Sequence, residues 1–370
     1  MSPTASQRMH VCIFVVYHYY AWCKMEAGVI GNGRVQTVNG FVDAGKLGKT
    51  LMHEHILCDL TPKAKRVPAE DEVVITLENV FDVTYRPNDY PGNHRLQDVD
   101  IALREVGRYA GQGGGTIVEM TTGGLEPDPL RLRRISQDTG VTIVLGAGFY
   151  TEPYQDEQTL GLDVERLGEI MVAQLTEGAW GTDVRCGIIG EIGCSWPLTL
   201  FEMRSLQAAA LAQRQTGASI TVHPGRHPDA PGQILDILER AGADLTRTII
   251  DHMERTCTSV EQVLALASRG CVVEYDFFGI EQSRYWLGQA DLPTDWMRIY
   301  DIRRLFEAGL GSNVVISQDI CTRSRLQSYG GHGYGHIITN VIPLMRDRGF
   351  SPAEIDMILV ETPARLLTLA

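Results

Sequence analysis

Short apolar or β-branched runs alternate with helix-period segments along most of this chain, and this alternation constrains the fold more than any other feature. Several runs lack polar alternation, which is typical of parallel strands buried on both faces. Each run has a polar residue or a glycine at or next to its end. The eight runs occupy residues 50–55, 115–121, 142–148, 187–193, 219–225, 248–253, 271–276 and 314–319.

Amphipathic segments lie between these runs, and several close with glycine, the usual residue at a helix C-cap. Strands that alternate with helices form βα units and a parallel sheet. Eight units predict the α/β class and a closed (β/α)8 TIM barrel. An open doubly wound sheet is the alternative, although no G-x-G-x-x-G turn joins a strand to a helix. The clearest helical segments are residues 98–113, 162–179, 202–217, 230–244 and 259–270.

The length fits one barrel domain over residues 31–370. The chain has 370 residues, of which 44% are hydrophobic, and α/β barrels of this size often form a single domain. Residues 1–30 are predicted to be an N-terminal extension that is disordered or outside the barrel. Its apolar run at 11–23 is too short to span a bilayer, although it also fits part of a signal peptide. The proline-rich, charged residues 59–93 are interpreted as an insertion after the first strand.

Charge and cysteine content narrow the partners and the compartment. The net charge is −13, which argues against nucleic acid and anionic membranes as partners. A small anionic substrate stays compatible, because it meets only the local field of a pocket. The eight cysteines form no C-x-x-C pair and fit reduced thiols in a cytoplasmic protein.

Six polar side chains stand at the carboxyl ends of five predicted strands, the rim where barrel enzymes collect their catalytic groups. Taken singly, each is explained as well by a packed histidine or a buried ion pair. Taken together, imidazoles and carboxylates are the ligands that Zn²⁺ and similar divalent metals favour. The six residues are His53, His55, Glu191, His223, His252 and Asp319.

Six ligands are enough for two divalent cations about 3.5–4 Å apart. Glu191 is predicted to bridge the two cations. Zn²⁺ is the first expectation, and Mn²⁺, Fe²⁺ or Co²⁺ could occupy the same ligands. The predicted reaction is hydrolysis by a hydroxide that bridges the metals, with Asp319 as the catalytic residue that carries the proton to the leaving group.

Seven stretches lie between about Gly33 and the C-terminus, and two strings within them, GIIGEIGCSWPLT and GGHGYGHI, are long enough to be distinctive. The seven stretches read GRVQTVNG, LGKTLMHEHI, GAGFY, CGIIGEIGCSWPLT, HPGR, EYDFFG and YGGHGYGHIITNVIP. With the order of the ligands, they resemble the phosphotriesterase-related protein family, a branch of the amidohydrolase superfamily. Glu191 stands where bacterial phosphotriesterases carry a carboxylated lysine, and Gln318 stands where many relatives have histidine. By strand alternation, Gln318 is expected to point away from the metals.

The resemblance implies a substrate class. Vertebrate members of the family look like amidases that act on N-acetyltaurine and related small N-acetyl amino acids, which are anionic N-acyl amines. Two alternatives remain: a lactonase or phosphotriesterase that uses the same metal centre, and a barrel that binds metal without catalysis. Relatives often form dimers, so a homodimer is also expected.

Arginine suits the charge and geometry of a carboxylate or sulfonate at the far end of such a substrate. Arg226, three residues after His223, is the first choice, and Arg323 and Arg325 after the last strand are rivals. Substrate contacts are also assigned to Tyr150, at the end of the third predicted strand, and to His332, in the loop after the eighth. His336, in the same loop, is a further candidate.

Overall fold

The computed structural model describes residues 33–61, 65–68, 71–282, 285–288 and 291–369. The predicted extension at residues 1–30 therefore lies outside the described residues. No helix among the described residues is long and apolar enough to cross a membrane.

Eight parallel strands form one sheet, and each coincides with a predicted run. Their order in the sheet follows their order in the chain, whereas a doubly wound sheet reverses direction at a switch point. The (β/α)8 barrel is confirmed, and the open-sheet alternative is wrong. We number the strands β1 (Thr50–Glu54), β2 (Thr116–Glu119), β3 (Thr142–Ala147), β4 (Ile188–Gly193), β5 (Ile220–His223), β6 (Thr248–Ile250), β7 (Val272–Tyr275) and β8 (Val314–Ile316).

Helices cover the outside of the sheet, and each predicted helical segment overlaps an observed helix. Local signals set their ends: Thr199 and Glu202 form a capping box, and Gly217 ends that helix at φ 70°, a conformation that glycine adopts without a Cβ clash. The α-helices are Val80–Tyr85, Val99–Gly111, Pro129–Thr139, Glu157–Leu160, Val164–Thr176, Leu200–Thr216, Ala230–Arg240, Met253–Thr256, Val260–Ala267, Asp295–Glu307, Ile342–Asp347, Pro352–Asp356 and Thr362–Leu367.

Two short antiparallel strand pairs among the described residues flank the barrel. Arg34–Thr37 pairs with Gly40–Asp43 before β1. Cys58–Asp59 pairs with Arg95–Leu96, so these strands enclose most of the insertion predicted at residues 59–93. The insertion thus lies at the carboxyl end of β1, on the same side of the barrel as the predicted ligands.

The interior of the barrel is apolar at its floor and polar at the carboxyl ends of the strands. Its floor is packed from alternate strand residues that include Met52, Val144, Val272 and Val315, all fully buried. Side chains fill such a barrel, which therefore has no pore. The polar side chains at the carboxyl ends of the strands consequently rest on an apolar layer that excludes water from below.

A carboxylate joins the first strand to the last. The fully buried Glu54 accepts hydrogen bonds from Ser317 Oγ (2.8 Å), from the backbone N–H of Gln318 (2.9 Å) and from that of Ile320 (2.9 Å). The backbone N–H of Asp319 also donates to the carbonyl of His53 at 3.2 Å. These contacts close the ring between β1 and β8 and fix the backbone that carries two predicted ligands.

Replacing Glu54 with alanine is expected to lower the free energy of unfolding by about 3 kcal/mol, because buried donors lose their acceptor. Glu54→Gln keeps the size and one acceptor oxygen, so its loss should be smaller. Urea unfolding followed by far-UV circular dichroism measures both. A midpoint for Glu54→Ala equal to that of the wild type would show that Glu54 does not hold the barrel closed.

Candidate active site

Glu191 lies at the centre of the predicted ligand set. Its Oε1 is 3.5 Å from Nε2 of His55. Its Oε2 is 3.0 Å from Nδ1 of His223 and 3.8 Å from Nε2 of His252. The same oxygen is 3.7 Å from Nε2 of His53. One carboxylate therefore faces all four imidazoles, as a bridging ligand must.

Asp319 completes the cluster on the side of β1. Its Oδ1 is 3.4 Å from Nε2 of His55 and 3.9 Å from Nε2 of His53. The residue is 8% exposed and lines the cavity above the cluster. The structure thus brings all six predicted ligands together.

The backbone departs from regular geometry where it delivers these side chains. The pairing of β1 with β2 shifts register between Leu51 and Glu54, and that of β4 with β5 shifts between Ile189 and Ile192. Such shifts re-aim side chains near active sites. His252 and Asp319 have φ values of 58° and 45°, a left-handed conformation that is uncommon for residues other than glycine.

The far nitrogen of each of three imidazoles faces an oxygen. His55 Nδ1 is 2.9 Å from Thr121 Oγ1, and His252 Nδ1 is 2.7 Å from Asp276 Oδ1. His53 Nδ1 is 3.4 Å from Asp251 Oδ2. Partners of this kind fix ring orientation and tautomer in metal-binding histidines.

Sequence analysis missed Asp251 and Asp276. A signal existed, because Asp251 directly precedes His252, and Asp276 ends the seventh apolar run. Each could have been recognised as a carboxylate at a strand end, in the position that orients a ligand.

The donor set fits divalent cations. Both ring nitrogens of His53 are buried, and neither makes a hydrogen bond of good geometry with another described residue. Most nitrogen–oxygen separations in the cluster, from 3.4 to 3.9 Å, are too long for good hydrogen bonds. Two ligands about 2.1 Å from one tetrahedral cation lie roughly 3.4 Å apart. Three groups of described residues are close enough to hold an ion: His53, His55 and Asp319; His53, Glu191, Asp251 and His252; and His53, Asp251, Glu274 and Asp276.

Burial and charge tune the protonation of the ligands. Burial raises the pKa of Glu191 to about 7, against the lowering effect of His53 and His55. Burial, followed by the charge of Arg255, lowers the pKa of His223 and His252 well below the usual value. Both imidazoles are therefore neutral at pH 7, the form that binds metal.

A cavity of about 120 Å³ opens above the cluster and contains two of the predicted substrate residues. Tyr150 is buried, and its ring centroid is 5.1 Å from that of His223. Arg226 is exposed at the rim, and its Nε donates to Tyr285 Oη at 3.0 Å. Both side chains are thus available to a molecule in this cavity.

The other predicted candidates are placed differently. His332 lines a neighbouring cavity of about 220 Å³, so its position does not support contact with a molecule beside the cluster. His336 Nε2 is held 2.6 Å from Asp295 Oδ2. Arg323 donates to Glu72 Oε2 at 2.8 Å and is turned away. Arg325 is 6% exposed and lines both cavities.

Arg255 is a cavity residue that sequence analysis missed. It lies in the short helix Met253–Thr256 and lines the cavity beside His223. Its signal was available, because Arg255 follows His252 by three residues, just as Arg226 follows His223.

The barrel and the ligand cluster at its strand ends define a class, the (β/α)8 metal-dependent hydrolases. A model of the phosphotriesterase family matches residues 33–367. The chain belongs to the phosphotriesterase family, and the resemblance found in the sequence is confirmed.

Relatives of known name cover almost the whole described chain. The chain is 41% identical to the N-acetyltaurine hydrolase of Homo sapiens over 343 residues, which are 91% of this chain and 98% of the relative. The structure resembles a resiniferatoxin-binding protein from Rhodobacter sphaeroides, with a TM-score of 0.86, 34% identity and coverage of 91% and 96% of the two chains. It also resembles the phosphotriesterase homology protein of Escherichia coli complexed with phosphate, with a TM-score of 0.72, 28% identity and coverage of 87% and 99%.

Proposed function

We propose that this hydrolase is an amidase that cleaves N-acetyltaurine and related small N-acetyl amino acids. The observation that carries the proposal is the charge of the cavity wall. Three arginines line it, namely Arg226, Arg255 and Arg325, and Asp319 is its only carboxylate among the described residues. Such a wall favours an anionic N-acyl amine over a neutral lactone or phosphotriester. The similarity to the human N-acetyltaurine hydrolase supports the same substrate.

His53, His55, Glu191, His223, His252 and Asp319 would hold two divalent cations, with Zn²⁺ as the first expectation for nitrogen and oxygen ligands. When bound, such a pair supplies a hydroxide at neutral pH and an electrophile for the acyl oxygen. The negative charge of Glu191 between four imidazoles is what makes the pocket suitable for two cations.

Asp319 is assigned the proton transfer. Burial would raise its pKa, but the contact with His55 and the charge of His53 leave the pKa below the usual value. The carboxylate is therefore ionised at pH 7 and can accept a proton from the nucleophile. It then returns the proton to the leaving amine, which must be protonated to depart.

Tyr150 and Arg226 are assigned to substrate binding. Burial raises the pKa of Tyr150 well above the usual value, so its hydroxyl stays protonated and can donate a hydrogen bond to the substrate. Arg226 contributes positive charge at the rim. We assign no substrate contact to His332, because it lines the neighbouring cavity.

The state of the cysteines supports the wider proposal of a cytoplasmic enzyme. The described cysteines, Cys58, Cys186, Cys194, Cys257, Cys271 and Cys321, are free thiols, as expected in a reducing compartment. A homodimer remains our expectation for the assembly. The non-catalytic alternative is disfavoured by Asp319, which combines a ligand position with access to the cavity.

The experiment is a substrate panel with metal-reconstituted protein. N-acetyltaurine, N-acetyl amino acids, an acyl lactone and paraoxon are compared by kcat/KM. We expect N-acetyltaurine to exceed the lactone and paraoxon by about 100-fold or more, because unpaired arginines penalise neutral substrates. Faster hydrolysis of the lactone or of paraoxon would replace the amidase with the second candidate function.

A further inference from the structure

Arg255 is a buried cation that has no anionic partner among the residues that the structure describes. It is 4% exposed, and its Nη1 donates to the carbonyl of Pro224 at 3.0 Å and to Thr256 Oγ1 at 3.1 Å. Its Nη2 lies 3.2 Å from Nε2 of His223. No carboxylate oxygen of the described residues lies within 4.0 Å of this guanidinium.

Arg298 shows how the same fold treats another buried arginine. Its side chain is 0% exposed, and it pairs with Asp295 Oδ1 at 2.7 Å and with Glu254 Oε1 at 3.2 Å. A buried charge without such a partner is costly. Arg255 thus has no carboxylate within salt-bridge distance among the described residues, and its side chain lines the cavity.

The three arginines of the cavity occupy different positions. Arg255 contacts His223, and Arg226 stands at the rim, anchored by Tyr285. Arg325 follows β8, where it donates to the carbonyl oxygen of Asp319 and faces the ring of Trp286 at 5.2 Å. Among the three, Arg255 is the most buried, and its guanidinium contacts the imidazole of a predicted metal ligand, whereas Arg325 contacts the backbone carbonyl of one.

We propose that Arg255 is the residue that binds the anionic group of the substrate and sets the selectivity for sulfonate- or carboxylate-bearing amides, with Arg226 as a secondary contact. The inference rests on the proposed amidase function and deepens it. A planar guanidinium can hold two oxygens of a sulfonate or carboxylate at once. Such an anion would supply a negative counter-charge for the Arg255 guanidinium.

The position of Arg255 also limits the length of the substrate. Because the guanidinium touches His223, an anion bound to it lies next to the ligand cluster. Only a short spacer can then join the amide to the anion. Substrates with one or two methylene groups between nitrogen and anion should therefore be preferred over longer homologues in a cavity of about 120 Å³.

The test compares a charged and a neutral amide. Arg255→Met is expected to lower kcat/KM for N-acetyltaurine by about 100-fold, as the loss of one partner of a buried charge pair does. For N-ethylacetamide, which lacks the sulfonate, the same variant should lower kcat/KM by at most about 10-fold, because this amide loses only the support that Arg255 gives to His223. An equal loss for both amides would mean that Arg255 only supports His223, and no loss for either would also overturn the proposal.

Two further variants distinguish Arg255 from Arg226 as the residue that binds the anion. Arg226→Met should reduce kcat/KM for N-acetyltaurine by roughly 10-fold at most, since an exposed charge contributes less than a buried one. Arg255→Lys retains the charge without the planar fork, so kcat/KM should fall by about 10-fold for N-acetyltaurine and by less for N-ethylacetamide. If Arg226→Met abolished the charge selectivity and Arg255→Lys did not alter it, the rim arginine would be the anion site.

Calorimetric binding of ethanesulfonate separates this proposal from the amidase proposal, because binding needs no turnover. Wild-type protein should bind ethanesulfonate, and Arg255→Met should not. If this holds for a protein that hydrolyses no amide, the anion site stands and the amidase proposal fails. If the variant binds ethanesulfonate as well as the wild type does, the anion site fails even for an active amidase.

Discussion

Asp319→Asn is expected to lower the turnover of N-acetyltaurine by about 10³–10⁴-fold, with the fold intact. Asparagine matches the size of aspartate and keeps an oxygen beside His55, but it cannot accept a proton from the nucleophile. The ionised state of Asp319, favoured by His55 and His53, is lost in the variant. Release of taurine from metal-reconstituted protein measures the effect.

The control for this prediction is a carboxylate outside the site. Asp183 is 79% exposed and pairs with Arg133 on the surface, so Asp183→Asn should leave turnover unchanged. The metal content of Asp319→Asn is measured in parallel, so that loss of proton transfer is distinguished from loss of a ligand. Comparable rates for Asp319→Asn and wild type would remove the proposed proton shuttle.

Glu191→Gln is expected to have the second large effect, on metal content as well as on activity. A neutral amide removes the negative charge that faces four imidazoles at 3.0 to 3.8 Å. Bound metal should fall from two ions per chain to one or fewer, and turnover should fall by about 10³-fold or more. Elemental analysis after gel filtration measures the metal content.

Glu119 provides a matched control for Glu191. Both carboxylates are buried, and burial raises the pKa of each to about 7. Glu119, however, accepts a hydrogen bond from the backbone N–H of Ile56 at 2.5 Å and does not face the imidazole cluster as Glu191 does. Glu119→Gln should therefore retain two metal ions. Full metal content in Glu191→Gln would show that this residue does not bridge the cations.

The barrel and the ligand set were predictable because both depend on local pattern. Each strand is a short apolar run, and each ligand stands at or near the end of such a run, so strand order alone brings the ligands to one rim. The position of Gln318 was also correct. Its amide nitrogen donates to Glu54 and to the carbonyl of Tyr334, away from the cluster.

The roles of individual arginines and loop histidines could not be read from the sequence. Arg323 points away from the cavity because it donates a hydrogen bond to Glu72, a residue of the insertion that lies 251 positions earlier in the sequence. His332 falls into a neighbouring cavity because of the path of the loop after β8. The absence of a carboxylate partner for Arg255 among the described residues can be established only from the positions of the surrounding side chains. These features depend on contacts between distant segments, which residue type and spacing do not determine.

Anomalous diffraction from crystals of the metal-loaded protein tests the central claim most directly. The account predicts two metal peaks per chain on either side of the Glu191 carboxylate, one next to His55 and Asp319 and the other next to His223 and His252. A single peak, or metal bound away from Glu191, would contradict it.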